Sequence, residues 1–184
     1  EVFELNVSSR RFSVAWQQKV VEQSWSDYLV EGEEWSQEIM PGTSGRIISY
    51  EAILELENDL IQPNDNFSLV VAVPEDNYQD QADTEGGNIT RNENAKATLS
   101  KEKLNPLGSE QIYDSDSIEM VIEMLLNEPG SAFGQSSWVL LVQALQTNPD
   151  SAIEFLPNPD EGNDWTLTIK VVIQEPVITE IAFE

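Results

Sequence analysis

Between Ile48 and Glu57 the side chains alternate: Ile48, Tyr50, Ala52, Leu54 and Leu56 fall on one side, Ser49, Glu51, Glu55 and Glu57 on the other. An extended backbone sends successive side chains to opposite faces, so a period of two specifies a strand with one dry face and one wet face. The same period runs from Trp165 through Leu167, Ile169, Val171 and Ile173, and it returns after Pro176 at Val177, Ile181 and Phe183. It is present at the other end too, where Phe3, Leu5 and Val7 share one side. Phe67 to Val73, stopped by Pro74, and Trp138 to Leu145 are apolar runs of strand length, and Ala152 to Leu156 is a shorter one.

Pro, Gly, Asn and Asp punctuate these runs, as in Met40-Pro41-Gly42-Thr43-Ser44-Gly45 and Gln62-Pro63-Asn64-Asp65-Asn66. Seven or eight strands without regularly interleaved helices predict an all-β fold, an antiparallel β-sandwich or jelly roll with room for one or two short helices. Two segments carry both periods. In 13–30, Val14, Val21, Trp25, Tyr28 and Leu29 gather on a helical face, while Phe12, Val14 and Trp16 alternate as a strand would. In 116–127, Asp116 with Glu119 forms a capping-box pattern, yet Ile118, Met120, Ile122, Met124 and Leu126 alternate equally well, and the all-β context tips the reading toward a strand.

With 184 residues, 40% of them hydrophobic, and neither an internal repeat nor a linker, the chain is expected to form one domain over 1–184. Residues 75–94 hold acids, amides and two glycines with almost no apolar content, which predicts a long mobile acidic loop.

The chain has no histidine and no cysteine, which removes imidazole-based triads, thiol nucleophiles, thiolate or imidazole metal sites and disulfides. Carboxylates remain, but 34 of them single out no catalytic pair, and neither Asp-Thr-Gly nor Asp-Ser-Gly occurs. Ser100 and Lys103 have Ser-x-x-Lys spacing without the companion motifs of that chemistry. The expectation is a protein that is not an enzyme.

Nine bases stand against those 34 acids, a formal charge of -25, and no Lys or Arg lies between Arg46 and Arg91 or between Lys103 and Lys170. A polyanionic partner, nucleic acid or an acidic membrane surface, is thereby disfavoured. No run approaches the roughly 18 apolar residues of a spanning helix. The start at Glu1 fits a mature form whose leader was removed, which with the zero cysteine count leans toward an extracellular, cell-surface or virion location.

Loop carboxylates suggest calcium before any other cofactor, because that cation takes hard oxygen donors in irregular cages. The candidate ligands are Asp80, Asp83, Glu85, Asp160 and Asp164, although none sits in a twelve-residue calcium-loop pattern and a solvated acidic surface explains them as well. Of the five tryptophans, Trp35, Trp138 and Trp165 are candidates for a sugar-stacking platform, against ordinary core packing. A carbohydrate-binding or calcium-dependent adhesion module is therefore one reading of the chain.

The two ends support another. Short alternating segments with little sequence beyond them leave sheet edges uncovered, and an uncovered edge invites a strand from another chain. Phe3, Leu5, Val7, Val177, Ile181 and Phe183 are the candidate assembly residues, with other copies or other structural subunits as partners. The run Ile39 to Ile47 with its Pro41-Gly42-Thr43-Ser44-Gly45 turn, together with Ala152-Ile153-Glu154-Phe155 and the closing strand Trp165 to Ile173, resembles the TasA and camelysin family of secreted β-sandwich filament proteins. The resemblance covers about a fifth of the chain, and the family's usual N-terminal segment has no counterpart in Ser8 to Tyr28. It implies an extracellular fibre subunit joined by donor strands, with no catalytic residues to carry over.

Overall fold

The computed structural model describes residues 9–42, 45–57, 66–88, 93–102, 104, 111–145 and 162–182. Ten strands follow in chain order: β1 (Arg10–Val30), β2 (Glu34–Ile39), β3 (Arg46–Leu56), β4 (Asn66–Val73), β5 (Tyr78–Asp83), β6 (Glu85–Asn88), β7 (Glu93–Glu102), β8 (Ile112–Ser115), β9 (Trp138–Leu145) and β10 (Gly162–Ile181), with one helix, α1 (Ile118–Leu126), between β8 and β9. They form two antiparallel sheets, ordered β6-β7-β3-β10-β1-β8 and β2-β9-β4-β5. The fold is an all-β antiparallel sandwich.

The core between the sheets is built from the dry faces read in the sequence. Tyr50, Ala52, Leu54 and Leu56 of β3, Leu167, Ile169 and Val171 of β10, and Leu140 and Val142 of β9 are all buried together. Ile48 is the exception to its strand's pattern. The register slips between Val172 and Ile173, where Ser49 and then Ile47 are the partners, so Ile48 is bulged out and Ile47 enters the core instead.

One open reading is decided and two sequence expectations need correction. Residues 13–30 are strand throughout, because β1 has β10 beside it over 20 consecutive pairs, from Arg11 with Ile181 to Val30 with Gly162. A partner that satisfies every second backbone group outweighs a weak helical stripe. Residues 118–126 are a helix, not a strand: Ser117, rather than Asp116, is the N-cap, its side chain accepting from the Met120 amide at 3.3 Å, and Val121 and Leu125, four apart, are the buried residues. Finally, 75–94 contains regular structure rather than one long loop. After a 3₁₀ turn at Pro74–Asp76, Tyr78 to Asp83 pairs with β4, and the chain then crosses at Thr84 into the other sheet, where Glu85 to Asn88 pairs with β7. Half-buried Tyr78, Asp80 and Ala82 alternate with exposed Gln79, Gln81 and Asp83, a polar version of the two-residue period that hydrophobicity alone does not flag.

Pro176 does not end the last strand, which continues to Ile181. Pairing with β3 stops at Gln174, so among the described residues β10 has, from Pro176 onward, a strand neighbour on the β1 side only. A residue without an amide hydrogen is tolerated where the sheet has an open edge.

Candidate assembly surface

Beyond the sandwich, the far ends of β1 and β10 continue as a wing with β8 at its side. Phe12 lies between Tyr113 and Glu180, and Ser13 between Ile112 and Thr179. Residues opposite one another across an antiparallel pair share a face. One face of the wing thus carries Phe12, Val14, Trp16, Tyr113, Pro176 and Ile178, and α1 covers it: Phe12, Val14, Tyr113, Val121 and Leu125 form a second small core.

The opposite face carries Arg11, Ser13, Ala15, Ile112, Asp114, Val177, Thr179 and Ile181, and no described residue packs over its apolar members. Ile112 is 56% exposed and Val177 45%, with Ile181 close behind. The outer side of α1 exposes Met120, Ile122, Met124 and Leu126 as well, beside Glu119 and Glu123. For a chain so rich in acids this concentration of exposed aliphatic side chains is unusual, and such patches mark interaction surfaces.

The wing's tip is also where charge is locally compensated. Arg10 grips Glu180 with two nitrogens, Nε donating to Oε1 at 2.7 Å and Nη2 to Oε2, and it lies over the Phe12 ring. Arg11 holds Asp114 in the same forked way, with Nε to Oδ1 at 2.8 Å and Nη2 to Oδ2 at 3.3 Å. These hydrogen bonds hold the Asp114 and Glu180 carboxyls below their usual range.

At the wing's base, Arg46 is buried beneath α1, where its Nη2 donates to Glu128. Glu128 Oε1 accepts from the Tyr113 hydroxyl at 3.1 Å, so one carboxylate ties the sandwich to the second core. Beside this pair is an apolar cavity of about 60 Å³, roofed by Ile122, Leu125 and Leu126 and floored by Trp16 and Pro176.

The sequence-predicted residues fall as follows. Val177 and Ile181 are exposed but do not sit on a free strand, since Ala15 and Arg11 of the same sheet are their partners. Among the described residues, the edge of β10 that stays open there is the one away from β1. Phe3, Leu5, Val7 and Phe183 lie outside the described residues, as does Asp160.

The remaining acids are dispersed. Asp80 is half-buried on β5 with Lys101 Nζ at 4.0 Å, Asp83 is exposed at the end of that strand, Glu85 is exposed at the start of β6 in the other sheet, and Asp164 is exposed near the start of β10. Among the described residues no three acidic side chains come together as a cation site.

Burial decides between the stacking platform and core packing. Trp138 is fully buried and Trp165 nearly so, while Trp35 is half-buried between Trp25 and Trp165, ring centroids 5.8 and 4.9 Å away. Trp35 and Trp165 have acidic neighbours in sequence, but strand parity decides the face, and Trp165 shares that of Leu56 opposite. Sequence reasoning missed Ile112 and the outer side of α1. Four residues of β8 are too few for a period, and α1 is apolar apart from Glu119 and Glu123, so its sequence does not separate the buried Val121 and Leu125 from the exposed apolar residues beside them.

No helix among the described residues is long and apolar enough to cross a membrane. No family model matches the chain, and no curated protein matches it significantly. Among solved structures, the empty head of turnip yellow mosaic virus is similar at 12% identity and a TM-score of 0.23, over 89% of this chain and 84% of that one. A likeness at that level assigns no function.

Proposed function

We propose that the chain is a non-enzymatic structural subunit of an extracellular filament, surface layer or virion, joined to its neighbours partly by terminal-strand exchange. The observation that carries this reading is the wing, whose described residues present an unpaired strand edge at Pro176–Ile181 alongside the exposed aliphatic side chains of Ile112, Val177 and Ile181. An open edge supplies main-chain hydrogen bonds to an incoming strand, and the apolar faces supply burial. Both ion pairs at the tip are satisfied internally, so contact there does not set bare carboxylates of two copies against each other.

The absence of histidine and cysteine supports a role without catalysis, and the scarcity of bases supports protein partners over nucleic acid. The test compares the full chain with one lacking Glu1 to Val7 by size-exclusion chromatography and electron microscopy over a range of concentration and NaCl. Large assemblies of the full chain that are lost on truncation are the expected result; two monomers under every condition reject the proposal.

A further inference from the structure

The open edge and the cavity beside it are adjacent parts of one surface. Pro176 begins the edge and forms part of the cavity floor, while Ile178, two residues on, faces the same side as Pro176 and packs against the second core. A strand laid along Pro176–Ile181 therefore projects every second side chain beneath Ile122 and Leu126. Such a strand needs apolar residues on that side and about seven residues of length. The segment Glu1 to Val7 has both, with Phe3, Leu5 and Val7 at alternate positions. Since one water requires roughly 10–15 Å³ of such space, a cavity of about 60 Å³ has room for an aliphatic side chain.

Chain direction decides which copy supplies it. β1 starts at the wing's tip, so the residues before Arg10 arrive there. To lie along the open edge of its own β10, the segment would run from base to tip, parallel to β10. Its link to β1 would also have to step past β10, about 10 Å for two strand spacings, and the three steps from Val7 through Ser8 and Ser9 to Arg10 reach only about 10–11 Å fully extended, with no residue left for the two turns. A segment from another molecule has no such tether and can enter antiparallel. Two β10 edges facing each other about Ile178 would fit less well, because each would set Glu180 against Pro176, at the mouth of an apolar cavity.

We propose that the β10 edge at Pro176–Ile181, with the cavity under the end of α1, is the acceptor for Glu1 to Val7 of a second copy, with Phe3, Leu5 and Val7 opposite Glu180, Ile178 and Pro176. The proposal rests on the structural-subunit reading and specifies its joint. In this register Glu4 lies opposite Thr179 on the outer face, at a distance a disulfide spans.

The chain has no cysteine of its own, so Glu4→Cys and Thr179→Cys chains can be mixed and oxidised without background. A disulfide-linked heterodimer should dominate a non-reducing gel. Leu126→Asp in the Thr179→Cys chain should lower its yield at least tenfold with the melting temperature unchanged, since Leu126 is 67% exposed. Assemblies that form without this cross-link, or Thr179→Cys chains that link to one another as readily, overturn the acceptor and leave the subunit reading standing. A full chain that stays monomeric at every concentration and salt overturns both.

Discussion

Arg46 and Glu128 meet at the joint between sandwich and wing, the arginine side chain 4% exposed and the glutamate 26%. The guanidinium also lies over the Trp16 ring, 5.3 Å from its centroid. Removing one member of a buried pair strands the other charge away from water, which typically costs about 3–5 kcal/mol, whereas replacing both by apolar groups is close to neutral. Glu128→Ala should accordingly lower stability by about 3 kcal/mol, the low end because Glu128 is partly wet, and should speed amide exchange in α1 before the main core. Arg46→Met with Glu128→Leu should recover most of the loss. Urea unfolding of the three chains checks this, and a double variant as unstable as the single one counts against a stranded charge.

The hydroxyls of Tyr50 and Tyr78 are hydrogen-bonded at 2.8 Å. Burial, first, and then this bond raise the Tyr50 pKa well above the ordinary phenol value, and burial raises that of Tyr78. A folded-state pKa above the unfolded one favours the protonated form in the fold, so its contribution is complete below about pH 10 and is lost as pH rises past that value. Melting temperature should fall steeply above about pH 10, and more gently in Tyr50→Phe. A variant with the same alkaline limb as the parent would exclude this pair as its cause.

Acid acts through two opposed effects. Asp114 and Glu180 are held low by their arginines, and Glu55 by the Asn94 amide and then Lys96. A depressed folded-state pKa stabilises above the unfolded value and is lost as pH falls through the folded one, below about pH 4. These groups are exposed and contribute little each. General repulsion among 34 acids is the larger effect near neutrality, so melting temperature should rise from pH 7 toward about 4.5 and decline only below about 3.5. Raising NaCl at pH 7 should also stabilise, since screening shortens the reach of charge from about 30 Å at 0.01 M to about 8 Å at 0.15 M. A melting temperature indifferent to salt contradicts this account.

Gly134 has φ +69, and a Cβ there would lie 2.8 Å from Ile47 Cδ1 and 3.0 Å from the Trp138 ring. Its amide donates to Asp76 at 2.8 Å and its carbonyl accepts from the Trp138 indole at 2.9 Å. Gly134→Ala should cost roughly 2 kcal/mol through backbone strain and crowding together. Chemical denaturation measures it, and a change under about 0.5 kcal/mol would show that the turn relaxes freely.

The strands from Tyr50 to Leu56 and from Trp138 to Leu145 were readable because one face of each is uniformly apolar, and parity is a local property of the chain. The strand Tyr78 to Asp83 was not, because its backbone is satisfied by β4, which no local pattern announces. In α1 both periods fit the same apolar residues, and only packing against Phe12 and Tyr113 separates them. The wing's exposed Val177 and Ile181 were legible as apolar alternation at a chain end. Arg46 was not legible as a buried cation, since Glu128, the carboxylate it pairs with, is 82 residues away. The face of each tryptophan was open for a related reason: neighbouring acids describe the loops, and not the side of the sheet an indole takes.

The 20 pairs between β1 and β10 join residues 10–30 to residues 162–181, so the first described strand to be synthesised has the last one as its main partner. Until residue 181 has emerged, Phe12, Val14, Val21, Trp25 and Leu29 lack their neighbours in β10, and closing so long a loop makes this step slow. The half-made chain is then a sticky, single-edged object, and its high negative charge keeps nascent molecules apart during that wait.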